Sequence, residues 1–103
     1  MRQDLTPSQK LWIEAFGVYG LPRLDENKVL AIVAKLPQRQ QQAVRLRYGF
    51  DGPPLSFENL RLHLPRADGK MGVSKELARL EVRIAIHYLR QPSKRRYWQE
   101  AEL

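Results

Sequence analysis

Apolar residues recur three or four positions apart along most of the chain, which is the spacing of helices with one buried face. Glycine and proline residues interrupt this pattern and divide it into segments. The predicted helices span residues 7–16, 26–36, 38–48, 57–64 and 72–90. No segment reads convincingly as a β-strand. The pattern therefore predicts an all-α fold, a small domain of about five helices.

Residues that favour helix starts stand at the boundaries of these segments. Thr6, followed by Pro7 and by Gln9 three positions later, predicts a capping box with proline at the first helical position. The same preference for a short polar side chain predicts three later N-caps, at Asp25, Ser56 and Ser74. Local sequence thus supports the predicted starts of four helices.

A chain of 103 residues has room for one domain with a core of modest size. We divide it into an extra N-terminal helix and linker (1–24), a domain that holds the other helices (25–98) and a C-terminal tail (99–103). Trp12 and Phe16 of the first helix either pack in the core or form a contact for tethering or dimerisation. After the helix-breaking Pro92, the basic and aromatic segment 94–98 either contacts phosphates or folds back through Trp98.

The net charge of +7 is concentrated in one third of the chain. Residues 61–96 hold ten basic and three acidic residues, whereas the remainder is balanced. Such a local cationic excess is typical of a protein that binds a polyanion. Basic residues that served only solubility could be scattered over the whole chain. Charge therefore favours a nucleic-acid partner.

Composition argues against several other classes of protein. The absence of Cys excludes disulfides and thiolate metal sites and fits a reducing cytoplasm. No apolar run approaches the roughly 20 residues of a membrane span, and the N-terminus lacks the apolar core of a signal peptide. His63 and His87 lie far apart, with no H-E-x-x-H motif and no glycine-rich phosphate loop. We expect a cytoplasmic protein without membrane contact, metal, cofactor or catalytic residues.

The helix predicted from Gly72 to Arg90 has a cationic side. Lys75, Arg79 and Arg83 recur every four residues and form one stripe. The opposite, apolar side is predicted to hold Ala78, Val82, Ala85, Ile86 and Leu89. At about 1.5 Å per residue the stripe spans roughly 12 Å, close to the width of the B-DNA major groove. A merely solvated surface is the alternative interpretation of this spacing.

A helix, a turn and a basic amphipathic helix in this order are typical of a helix-turn-helix. The motifs along the chain also resemble region four of the bacterial sigma factors, the promoter-recognition subunits of RNA polymerase. Residues 36–39 (LPQR) and 44–50 (VRLRYGF) resemble the family's L-P-x-R and V-L-x-L-R-F-G-L. Residues 56–60 (SFENL) resemble T-L-E-E-I, and 72–76 (GVSKE) resemble G-V-T-R-E. Residues 85–93 (AIHYLRQPS) resemble A-L-x-x-L-R-H-P-S, so the likeness runs from about 29 to 96.

The resemblance implies binding to double-stranded promoter DNA of the −35 type and docking on the flap of the RNA polymerase β subunit. By position it assigns base or phosphate contacts to Lys75, Glu76 and Arg79. It assigns contacts to the DNA backbone to Arg47, Ser56 and Arg90. Ser74, as the cap of this helix, and Arg83, as the end of the stripe, complete the predicted DNA-binding set. Lys and Arg donate to guanine or phosphate, and Glu accepts from cytosine N4.

Three features depart from the family's pattern. Glu81 and Val82 stand in the reverse of the family's apolar-then-acidic order, which implies a helix rotated about its axis. Leu80 stands where the family has Gln, and a leucine cannot form a hydrogen bond with a base edge. Residues 61–71 separate the two helices of the helix-turn-helix by more than the family's short turn. Either the first of these helices is longer, or a loop changes the angle at which the second one docks.

Other functions remain open at this point. One helix-turn-helix reads only a few base pairs, so useful affinity requires a homodimer or tethering to polymerase. A protein-interaction module could occupy a sigma or polymerase site without reading DNA. A basic RNA-binding protein is a third hypothesis, although the sequence lacks an aromatic stacking platform for single strands.

Overall fold

The computed structural model describes residues 5–103 and confirms the predicted all-α class. The helices are α1 (Pro7–Phe16), α2 (Glu26–Val33), α3 (Gln38–Tyr48), α4 (Phe57–Leu60), α5 (Lys75–Leu89) and α6 (Arg95–Ala101). Two 3-10 turns, Arg61–His63 and Pro92–Lys94, follow α4 and precede α6. Within residues 5–103 β-pairing is limited to two isolated bridges. None of the helices in this range is long and apolar enough to cross a membrane.

The predicted helix starts are confirmed by hydrogen bonds. The hydroxyl of Thr6 accepts a bond from the backbone N–H of Gln9, and the Gln9 side chain accepts one from the Thr6 N–H, both at 3.1 Å. The side chains of the other predicted caps also accept bonds from the first turns that follow them, at Asp25, Ser56 and Ser74. Each cap pairs an N–H group that has no partner inside its helix.

Helix α5 lies at the centre of the domain and packs against α3, α4 and α1. The side of α5 that faces these helices is buried and consists of Ala78, Val82, Ala85 and Leu89. Around it lie fully buried side chains from the other elements, among them Leu11, Val29, Val44, Leu60 and Leu64. The core therefore fixes α5 along one side and leaves its other side to solvent.

Two helices end earlier than the apolar pattern predicted, and proline explains both differences. Helix α2 ends at Val33 rather than Leu36, and the chain then makes a turn in which the Leu36 N–H donates to the Val33 carbonyl at 3.0 Å. Helix α4 with its 3-10 turn ends before Leu64, which has an extended backbone. Both leucines precede a proline, whose ring disfavours the helical conformation of the residue before it.

The long segment between α4 and α5 is an ordered loop rather than a lengthened helix. Its two sides meet at the bridge between Pro65 and Met71, and the Arg66 N–H donates to the Lys70 carbonyl at 2.7 Å. At its base the Gly72 N–H donates to the Leu64 carbonyl at 2.9 Å. Of the two arrangements left open by the sequence, the structure thus has the loop.

The C-terminal segment folds back on the domain. Trp98 is buried, and its indole N–H donates to the backbone carbonyl of Leu89 at 2.9 Å. Residues 99–103, assigned to a tail by the sequence, complete α6 and then meet the linker ahead of α2. There the Asp25 N–H donates to the Ala101 carbonyl, and the Leu103 N–H donates to the Arg23 carbonyl, both at 2.8 Å.

Candidate nucleic-acid interface

An open groove of about 560 Å³ runs between α5 and the ends of α1, α3 and α4. Four guanidinium groups line it, from Arg47, Arg79, Arg83 and Arg90. We call this surface the arginine groove. The three arginines of α5 and its C-cap reach it because they lie along one flank of that helix, and Arg47 reaches it from the last turn of α3. Four side chains from the predicted site are thus brought together.

Phe57, the first residue of α4, positions two of these arginines. The guanidinium carbon of Arg47 lies 4.1 Å from the centroid of the Phe57 ring, and that of Arg79 lies 5.2 Å from it. A cation over an aromatic face is attracted by the negative charge density of the ring. Arg47 is held further by its Nη1, which donates to the Leu55 carbonyl at 2.9 Å. Both arginines therefore have preferred positions before any ligand arrives.

The arginines of the groove are not neutralised by ion pairs. The ion pairs among residues 5–103 involve four other arginines, namely Arg39, Arg45, Arg61 and Arg66. Glu14 of α1 is the one carboxylate among the described residues that line the groove. The groove thus keeps a net positive charge, which attracts an anion at a partly enclosed surface.

A neighbouring groove shows the contrast. It lies between the 64–72 loop and the start of α5 and is lined by Arg39, Arg61 and Arg66. Each of these three arginines has a carboxylate partner, from Glu81, Glu58 and Asp68 respectively. The two grooves therefore contain similar residues but differ in uncompensated charge.

Tyr48 closes the inner wall of the arginine groove. Burial raises the pKa of its phenol well above the usual range, and the negative charge of Glu14 raises it further. A phenol that stays protonated at neutral pH adds no negative charge to the groove. Tyr48 thus leaves the charge of the groove to the other side chains that line it.

The remaining predicted site residues lie at the N-terminal end of α5 and α4. Lys75 and Glu76 are exposed in the first turn of α5, outside the arginine groove. The hydroxyl of Ser74 accepts a bond from the Leu77 N–H at 3.0 Å, and that of Ser56 accepts one from the Asn59 N–H at 3.2 Å. The two serines act as helix caps, and their exposed hydroxyl protons are still available to an acceptor.

The cationic stripe of α5 lies beside the core rather than opposite to it. Ile86, which the sequence placed on the apolar side of the helix, packs partly buried against the core and also lines the same groove as Arg79 and Arg83. At about 100° per residue, positions 79, 83 and 86 lie within one arc of roughly 60°. The side of α5 that faces away from the core presents Glu76, Leu80, Ile84 and His87, all exposed, and Ile84 and His87 also line the arginine groove.

Three residues that line this surface from outside α5 were not predicted from the sequence. Phe57 lies in a predicted helix but was not assigned to the site, and neither Tyr48 nor Glu14 was connected with the basic helix. Glu14, Tyr48 and Phe57 come from three different helices, so no periodicity within one segment relates them to α5. The sequence places Arg47 and Tyr48 side by side at the end of α3 and Phe57 at the start of the next helix, but it does not relate them to α5.

Within residues 5–103 no cluster of three or more His, Cys, Asp or Glu side chains could hold a metal ion. No protein-family model, no curated protein and no solved structure matches the chain. The likeness to sigma factor region four rests on the sequence motifs and stays a prediction.

Proposed function

We propose that this protein binds double-stranded DNA through α5 and the arginine groove, as a transcription-related protein that resembles sigma factor region four. The observation that carries the proposal is the set of four arginines around one groove, none of them in an ion pair with a described residue. On this proposal the protein binds promoter DNA in the cytoplasm of a bacterium. Its second partner is the flap of the RNA polymerase β subunit.

Each part of the surface suits one part of a duplex. The arginine groove runs along the flank of α5, where the phosphates of one strand would pass when the helix lies in the major groove. Lys75 and Glu76, in the first turn, can reach base edges, where Lys donates to guanine and Glu accepts from cytosine. Phosphate contacts supply most of the affinity in such a complex, and base contacts supply the specificity.

Fluorescence anisotropy with a labelled duplex tests this proposal. The logarithm of the affinity should fall linearly with the logarithm of the salt concentration. Replacing both Arg79 and Arg83 by Ala should weaken binding and reduce the slope by about 1.8, because each neutralised phosphate contributes about 0.9.

The matched control is the double change of Arg23 and Arg96 to Ala. These arginines are exposed near α2 and in α6, outside the arginine groove, and their removal changes the net charge by the same amount. The control variant should keep most of the affinity. Equal losses in both double variants would reject the arginine groove as the binding surface.

The second candidate function is a module that occupies a sigma or polymerase site without reading DNA. It is favoured by the apolar residues exposed just after α1, where Val18 is 64% and Tyr19 is 90% exposed. Trp12 and Phe16 are less available, because their rings contact each other in a tilted arrangement, with centroids 5.4 Å apart, and Phe16 also packs edge-on against Trp98 at 5.6 Å. Two results would favour this second function. The protein would capture a β-flap fragment and lose that capture when Tyr19 is changed to Ser. It would also fail to bind duplex DNA at low salt.

A further inference from the structure

Two large apolar side chains are exposed on the side of α5 that faces away from the core. Leu80 is 44% and Ile84 is 42% exposed. They lie four residues apart and therefore form one line along the helix. Single exposed apolar residues are common on protein surfaces. Two neighbouring ones on an otherwise charged helix indicate a surface that binds a partner.

The surroundings of the pair restrict what that partner is. The stripe of Lys75, Arg79 and Arg83 runs along one flank, and no ion pair within residues 5–103 involves any of its members. A partner that fits must therefore present negative charge beside a small apolar surface. The major groove of DNA has this arrangement, because phosphates border a floor on which the thymine C5 methyl is the apolar group.

On the basis of the proposed function, we propose that Leu80 and Ile84 are specificity-determining residues that contact thymine methyl groups in the major groove. Leu80 forms no hydrogen bond with a base, yet a methyl contact needs none. The two side chains are separated by about 6 Å along the helix axis, and successive bases of a strand by about 3.4 Å. The pair therefore favours two thymines one or two steps apart.

Replacing thymine by uracil removes only the C5 methyl and keeps the hydrogen-bonding pattern of the base pair. Short duplexes of random sequence are enriched for binding to the full-length protein, and the enriched duplexes are then resynthesised with uracil in place of thymine. Removal of one contacted methyl should weaken binding about fourfold, which corresponds to the burial of one methyl group, and removal of two should weaken it about fifteenfold.

The variant Leu80→Ala/Ile84→Ala should bind thymine and uracil duplexes equally and should match the wild type on uracil duplexes. Both positions are exposed and alanine favours helices, so the variant should fold. Leu62→Ala, at a residue 51% exposed outside α5, is the matched control and should retain the preference for thymine.

The outcomes separate this inference from the proposed function. If the wild type binds both duplexes equally with a steep salt dependence, the methyl contact is overturned and DNA binding stands. If no duplex is enriched at low salt, the proposed function fails and the inference fails with it. If the double alanine variant loses capture of a β-flap fragment while its DNA binding is unchanged, the pair docks a protein and the inference is overturned.

Discussion

The replacement of Phe57 by Leu should disorder the arginine groove while leaving the core nearly intact. The change keeps an apolar side chain at the start of α4 but removes the ring over which Arg47 and Arg79 lie, at 4.1 and 5.2 Å. Cation–π contacts at exposed sites contribute about 0.5–1 kcal/mol each, so the two together stabilise the fold by about 1–2 kcal/mol.

The Phe57→Leu protein should also bind DNA more weakly. Without the ring, two long side chains must be ordered when DNA binds, at a cost of about 0.5–1.5 kcal/mol each. A total of about 1–3 kcal/mol corresponds to a loss of roughly 5- to 150-fold in affinity. Urea unfolding measures the change in stability, and fluorescence anisotropy with a labelled duplex measures the change in affinity.

The control for this prediction is Phe50→Leu. Phe50 also packs partly buried against the core, but within residues 5–103 no arginine or lysine lies over its ring. Phe50→Leu should reduce stability without a matching loss of affinity. A Phe57→Leu protein that is folded and binds DNA as tightly as the wild type would refute the preorganisation of the arginines.

Three further changes probe the fold and the charge of the groove. Trp98→Phe should lower the free energy of unfolding by about 2–3 kcal/mol, measured by urea unfolding, because the buried carbonyl of Leu89 loses its indole donor. Asp51→Asn should cost less than about 1 kcal/mol at pH 7, because the Asp51–Arg45 pair is largely exposed. The hydrogen bond from Arg45 lowers the pKa of Asp51, so the pair stabilises the fold above the unfolded pKa near 3.9. This contribution is lost as the pH falls through the folded pKa, and thermal unfolding of the two proteins should then converge. Glu14→Gln should raise the affinity for duplex DNA up to about fivefold, because it removes a carboxylate from the groove.

For each of these three substitutions, one result would contradict the prediction. Trp12→Phe is the control for Trp98→Phe, because Trp12 is only partly buried and its indole forms no hydrogen bond within residues 5–103. Equal losses for the two tryptophans would mean that the bond to Leu89 contributes little. A difference between Asp51→Asn and the wild type that persists at a pH below the folded pKa of Asp51 would exclude the ion pair as its cause. An unchanged or lower affinity of Glu14→Gln would mean that the DNA does not pass near α1.

Sequence reasoning was most successful where structure is decided within one turn of helix. The capping box of Thr6 and the N-cap of Ser74 need only residues three positions away, and both were predicted correctly. The ends of α2 and α4 were predicted less well, because the apolar pattern continues through Leu36 and Leu64 while the following prolines stop the helix.

The candidate site was harder to predict because it joins distant parts of the chain. The stripe of α5 was visible from spacing, but which arc of the helix faces the core depends on how α1 and α3 pack against it. Ile86, predicted on the apolar side, does pack partly buried against the core, but it also lines the arginine groove, so the two sides of α5 adjoin rather than oppose each other. The contact of Phe57 with Arg47 and Arg79 joins three helices, and a pattern within one segment carries no information about such a contact.

The most direct test of the DNA-binding surface is a titration of the isotopically labelled protein with an enriched duplex, followed by NMR. We expect the amide signals of α5 to shift most, together with the guanidinium signals of Arg47, Arg79, Arg83 and Arg90. The amides of α6 should move little, because that helix packs against α2, away from the arginine groove. Shifts confined to α6 and the linker before α2, or no shifts at low salt, would contradict binding through the arginine groove.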